Sequence, residues 1–238
     1  MKWLRKTYVA IVMAFLYAPI LVLIVFSFNK SKSRGAWTGF TLSWYQRLFT
    51  NEAIIQSLIN TLVVALISSV LATVIGTLAA IGIRNMGRLS RSVVMNVTYM
   101  PVINPEIVTG VSLMLLFVFV KNAGVQLEFG FVTLVLAHIT FNIPYVILNV
   151  MPKLRQMDVS VYEAAQDLGC SPMQAFFKVV IPEIMPGILA GFLMAVTYSL
   201  DDFIISYFVT GPTSQTLPIT IFSMTRRKVS PEINALST

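Results

Sequence analysis

The chain has 238 residues, of which 56% are hydrophobic and only 11% are Asp, Glu, Lys or Arg, with a net charge of +7. Soluble domains carry about 25% charged residues, so this composition excludes an ordinary water-soluble enzyme or binding domain. The basic residues flank apolar runs, which marks them as membrane-flanking charge rather than a nucleic-acid face.

Residues 7–28, 53–83, 129–152 and 203–224 contain no Asp, Glu, Lys or Arg. About 20 apolar residues cross the hydrocarbon core as a helix. The first span is read at 8–28; it is too long for a signal peptide and lacks a small-residue cleavage site. A polar, aromatic loop follows at 29–52 with Trp37, Trp44 and Tyr45. Aromatic faces attract organic cations, which makes Trp44 a candidate pathway residue; aromatic residues also gather at membrane interfaces. The second span is read at 54–83, followed by a short basic loop with Arg84, Arg88 and Arg91. The third apolar region, 93–120, is interrupted by Pro101 and Pro105. Asn104-Pro105-Glu106 reads as a helix start, with Asn as cap, Pro at the first helical position and a carboxylate near the positive end. The region is either two segments, one beginning inside the membrane, or a helix kinked at proline. The fourth span is read at 129–150, a polar stretch at about 152–186, the fifth span at 187–208, and a loop from Thr210 onward.

The polar stretch carries the most information. Ser160 and Glu163 fit a capping box, with Asp158 as a competing cap. Gly169 is placed to end that helix in a left-handed conformation. Ser171-Pro172-Met173-Gln174 starts a second helix with its own capping box, which Pro182 is expected to end. Ala164 and Ala165 leave one face of the first helix flat, suited to close docking. Glu163-Ala164-Ala165, Gly169 and Ile181-Pro182 are similar to the EAA motif of ABC importer permeases, with Val179 where the pattern has Ile and Ile181 where it has Leu. The resemblance implies an all-α integral membrane protein with the MetI-like permease bundle, a single transmembrane domain over 1–238 with five spans here and a sixth after Thr238. It also implies that the stretch is a cytoplasmic coupling loop, with Glu163, Ala164, Ala165, Gly169 and Pro182 contacting an ATPase subunit. Charge bias leaves the orientation open: with the N-terminus inside, nine Lys and Arg fall on inner segments and eight on outer ones. The resemblance places the N-terminus in the cytoplasm of a bacterial inner membrane.

Three acidic residues sit in apolar surroundings: Glu106, Asp201 and Asp202. Carboxylates at membrane depth face a cavity, a partner or a substrate, so these three are candidate pathway residues for a cationic cargo. The alternative, which ranks second, is an ion pair with a partner subunit or a cap on a broken helix. Adjacent helical residues point about 100° apart, so at most one of Asp201 and Asp202 points straight into a pathway. Phe40-Thr41, Trp44-Tyr45, Ala137-His138-Ile139-Thr140-Phe141, Leu200-Asp201-Asp202, Phe208-Val209-Thr210-Gly211-Pro212 and Ser230-Pro231-Glu232-Ile233-Asn234-Ala235 resemble the PotC-type permeases of spermidine/putrescine importers over nearly the whole chain. That implies a second permease subunit, two ATPase subunits holding ATP and Mg, and an extracytoplasmic polyamine-binding protein. It does not rank spermidine against putrescine. Another cationic or small solute, or a secondary transporter, is the alternative. No phosphate loop or His-Glu-x-x-His motif is present, His138 is the only histidine, and Cys170 the only cysteine. The chain is thus expected to bind no cofactor or metal and to be no enzyme, with His138 a hydrogen-bonded packing residue.

Overall fold

A computed structural model describes residues 2–31, 36–227 and 231–238. Lys32, Arg34, Lys228 and Ser230, used above in the charge count and the sequence resemblance, lie outside the described residues. The first helix, α1 (Lys2–Ser27), is followed by α2 (Ser43–Thr50), α3 (Glu52–Arg84), α4 (Arg88–Ile103), α5 (Glu106–Asn122) and α6 (Phe131–Gln156). Then come α7 (Val159–Asp167), α8 (Pro172–Ala175), a π turn (Phe176–Val180), α9 (Ile181–Asp201), α10 (Ile204–Val209), α11 (Leu217–Arg227) and α12 (Pro231–Ser237). Four helices among the described residues are long and apolar enough to cross a membrane: α1, α3, α6 and the continuous rod Pro172–Asp201. The pair α4 and α5, bent by 107°, makes a fifth if it is one broken span.

The chain divides into two units, residues 1–58 with 217–238, and residues 59–216. In the first, α1 exposes apolar side chains on every face, as a lipid-facing helix does. Its end is fastened by Asn29, which is 1% exposed. The Asn29 amide nitrogen donates to Ala36 O at 2.8 Å, and its side-chain oxygen accepts from Thr38 N at 3.0 Å. Phe28 stacks between Phe40 and Tyr45. The helix α12 packs on α1 and α2. The loop expected after Thr210 is therefore largely helical. Its helices are too short for a span-length pattern, yet Ile219 and Ile233 are buried.

The second unit is built around α6 and α9, whose core holds Val146, Ile147, Val150, Leu154 and Ile184. Small residues let the backbones close up, the usual basis of helix association in lipid. A β-carbon at Gly76 of α3 would lie 2.7 Å from Val146 Cβ, and one at Gly191 of α9 would lie 3.1 Å from Val146 Cα. Buried polar groups pair across the helices: Asn142 donates to Ser199 Oγ at 2.8 Å, and Ser199 Oγ lies 3.3 Å from Ser68 Oγ. A second cluster, with Leu113, Phe117, Leu134, Ile205 and Val209, joins α5, α6 and α10.

Two expectations are corrected. The rod Pro172–Asp201 passes through Pro182 rather than ending there. The π turn just before it shifts the hydrogen-bond register, with Ile181 N–H bonding to Phe176 O, and this absorbs proline's missing donor. The fifth span does not run unbroken to residue 208: it stops at Asp201, and α10 is a separate helix.

Candidate functional site

Two helix breaks in the second unit build a cleft. At the first, proline excludes the α-helical conformation from the residue before it, and Asn104 accordingly takes φ −71° and ψ 146°. The helix α5 begins at Glu106, one residue later than the sequence pattern placed it. Asn104 supplies no cap to it; Val108 N–H bonds to Pro105 O at 2.9 Å instead. At the second break Asp202 is extended, and its carboxylate caps α10. Ile205 N–H donates to Oδ1 at 3.2 Å and Ser206 N–H to Oδ2 at 2.7 Å. His138 Nε2 lies 3.5 Å from the same carboxylate and 3.0 Å from Ser206 Oγ.

Between the breaks lies a cleft of about 170 Å³ lined by Glu106, Asp201, Asp202, Phe141, Tyr145 and Tyr198, with Pro101, Thr109 and Ile205 completing the wall. The three acidic candidates of the second unit therefore come together, but not in one role. Asp202 is only 9% exposed and its oxygens are spent on the cap. Glu106 and Asp201 are exposed, and neither makes a hydrogen bond or ion pair with any described residue. Among the described residues no Lys or Arg lines the cleft. Tyr145 and Tyr198 form a pair with ring centroids 4.4 Å apart. Sequence reading missed both. Tyr198 sits three residues before Asp201, hence on the same helix face, which was the available signal. Tyr145 comes from another helix and carried none.

Trp44 belongs to the first unit. It is buried, its indole N–H donates to Asn29 O at 2.8 Å, and the Arg47 guanidinium already stands 5.0 Å from its ring centre. The ring is occupied by packing and by a cation of its own chain.

The polar stretch between α6 and α9 takes the expected helix, turn and helix. Asp158 prevails as cap of α7, accepting from Ser160 N at 3.0 Å, because it directly precedes the helix while Ser160 lies inside it. That bond holds the Asp158 carboxyl below its ordinary value. Gly169 has φ +88°, and the chain turns with Gly169 N to Gln166 O at 2.8 Å and Cys170 N to Ala165 O at 3.1 Å. That pair of bonds is the Schellman pattern. The Ser171 and Gln174 box forms in full. Glu163 and Ala164 are exposed, and beside them Val161, Leu168, Met173 and Phe177 stand open, Leu168 at 87%.

Residues 72–233 match the family described as "Binding-protein-dependent transport system inner membrane component". The chain belongs to that family, a transport component of the inner membrane. It is 42% identical over 227 residues to the putrescine transport system permease protein PotI of Escherichia coli K12, covering 94% of this chain and 80% of that one. It is 39% identical over 236 residues to the spermidine/putrescine transport system permease protein PotC of Haemophilus influenzae, covering 99% and 90%. Among solved structures, a bacterial ABC transporter involved in the import of the acidic polysaccharide alginate superposes with a TM-score of 0.76 at 16% identity, covering 99% of this chain and 88% of that one. The fold is that of an ABC-importer permease.

Proposed function

We propose that this chain is one of two permease subunits of an ATP-driven polyamine importer, and that Glu106 and Asp201 handle the cationic cargo. The observation that carries the reading is the cleft itself: two unpaired carboxylates face a tyrosine pair, with no basic residue among the described residues of the wall. Carboxylates in apolar surroundings are costly unless something positive visits them. A tyrosine face adds about 0.5–2 kcal/mol for an alkylammonium group and stays compatible with release. The printed functions of the relatives point the same way. The exposed apolar face around Glu163 and Leu168 is the surface proposed to receive an ATPase subunit, which would hold ATP and Mg. On this reading the loop and the N-terminus are cytoplasmic, and an extracytoplasmic binding protein delivers cargo from the other side. Asp202 serves as a cap and Trp44 as a packing residue, so neither is assigned to cargo.

The test is the assembled importer in proteoliposomes. Spermidine and putrescine, but not amino acids or sugars, should stimulate ATP hydrolysis. Glu106→Gln and Asp201→Asn should each lower uptake at least tenfold with assembly intact, about 1.4 kcal/mol or more. Wild-type uptake by both variants would refute the cargo assignment. Stimulation by other organic cations alone would redirect it to another cationic solute. Assembly and transport unaffected by loss of Glu163 and Gly169 would leave a secondary transporter as the reading.

A further inference from the structure

His138 is fully buried and does not line the cleft, yet all its polar contacts run to the element beside it. Nε2 reaches Ser206 Oγ and the Asp202 carboxylate, both at the N-terminus of α10, while Nδ1 has no partner among the described residues. A second bond from the same helix secures the other end: Thr133 Oγ1 donates to Val209 O at 2.7 Å. So α6 grips α10 at both ends.

The short helix α10 is also what α5 rests on. A β-carbon at Gly110 would lie 2.9 Å from Phe208 Cδ2 and 3.4 Å from Ile205 Cα, so the two helices touch almost backbone to backbone. Glu106 lies one turn before Gly110, and Asp201 directly precedes the capping Asp202. The two unpaired carboxylates of the cleft are therefore referenced to α10, one through the chain and one through packing.

We infer that His138 is a positioning residue: by holding Asp202 and Ser206 it fixes α10, and through α10 it sets where Asp201 and Glu106 stand in the cleft. The inference rests on the reading of those carboxylates as the cargo site. The side chain that fills this role must present a polar nitrogen at the Nε2 position. Glutamine places its amide nitrogen near there; asparagine reaches only to the Nδ1 position.

The experiment measures initial spermidine uptake by the complete importer in proteoliposomes, together with the amount assembled, for His138→Asn, His138→Gln, Asp201→Asn and the double variant His138→Asn with Asp201→Asn. His138→Asn should lose about tenfold in rate, the loss expected when a buried hydrogen bond, here to Ser206 Oγ, is displaced. His138→Gln should recover most of it. Added to Asp201→Asn, the His138→Asn change should cost clearly less than its own tenfold, since the share of its effect that runs through Asp201 is already gone and only the share through Glu106 remains. Equal rates for the Asn and Gln variants, or losses that multiply in the double variant, would overturn the positioning role and leave the cargo reading standing. A wild-type rate for Asp201→Asn would instead remove the cargo reading, and this inference with it. If His138→Asn fails to assemble, Ser206→Ala takes its place in the cycle, because it removes the hydroxyl partner and keeps the backbone bond to Asp202; the same coupling is expected and the same additivity would overturn it.

Discussion

Gly76→Ala is the sharpest stability prediction, because the same helix supplies its own control. The new β-carbon would lie 2.7 Å from Val146 Cβ and 2.8 Å from Cγ1, where ordinary contact begins at 3.4 Å. The shortfall of about 0.7 Å has no free side to move into. Val146 is fully buried, and its backbone is also closely packed by Gly191. Overpacking of this kind costs about 1–3 kcal/mol. For a chain of this size each kcal/mol lowers the melting temperature by about 2–4 °C, so a drop of roughly 2–12 °C is expected. Gly82 lies in the same helix with nothing within 4 Å of its added carbon. Gly82→Ala should be neutral or stabilising by up to about 1 kcal/mol, because alanine loses less entropy on entering a helix. Val146→Ala should fail to rescue Gly76→Ala, since the closest atom is the β-carbon it retains. The assay is thermal unfolding of the detergent-solubilised protein. Equal melting temperatures for Gly76→Ala and Gly82→Ala would refute the packing argument.

Asp202→Ala should leave the N–H groups of Ile205 and Ser206 unpaired in a buried site, at about 1–3 kcal/mol each, and amide exchange across Ile204–Val209 should quicken by at least tenfold; unchanged protection would show that the carboxylate is not the cap. Gly169→Ala forces a side chain into the left-handed region at about 1–2 kcal/mol, and recovery of the complex on an affinity-tagged ATPase subunit should fall; full recovery would mean the turn tolerates it. Asp158 has a depressed native value, so its cap contributes above the unfolded-chain value and is lost as pH falls through the native one. Protease cutting within Val159–Asp167 should accordingly rise on acidification, and Asp158→Asn should flatten that profile.

Local chemistry was legible in the sequence, and long-range geometry was not. The turn at Gly169 and the box at Ser171 each depend on residues within five positions, and each forms where the pattern places it; the break forms beside Pro105, but α5 starts one residue late and Asn104 does not cap it. Pro182 misled because a lone proline signals a stop, while a π turn upstream can carry the helix past it. The end of the fifth span misled because apolar composition runs straight across Asp201 and Asp202; only the capping bonds reveal the break. The histidine was read correctly as hydrogen-bonded, yet its partner Ser206 lies 68 residues away. The pairing of Tyr145 with Tyr198 is likewise a product of how α6 meets α9. Trp44 shows the converse: the composition of its loop fitted cation binding, and the fold assigned its ring to Arg47.

The passage of one helix through Pro182 has a mechanical side. The residue that follows the Ser171 cap and the residue that faces the cleft as Asp201 are the two ends of one 30-residue rod, about 45 Å long at 1.5 Å per residue. No loop lies between them to bend and take up the stroke. On the proposed coupling, a shove at the exposed turn would pass along the axis to the carboxylate at the far end, as a piston is driven through its connecting rod. The widened π turn is a joint in that linkage, and it sits next to the end where the force would enter.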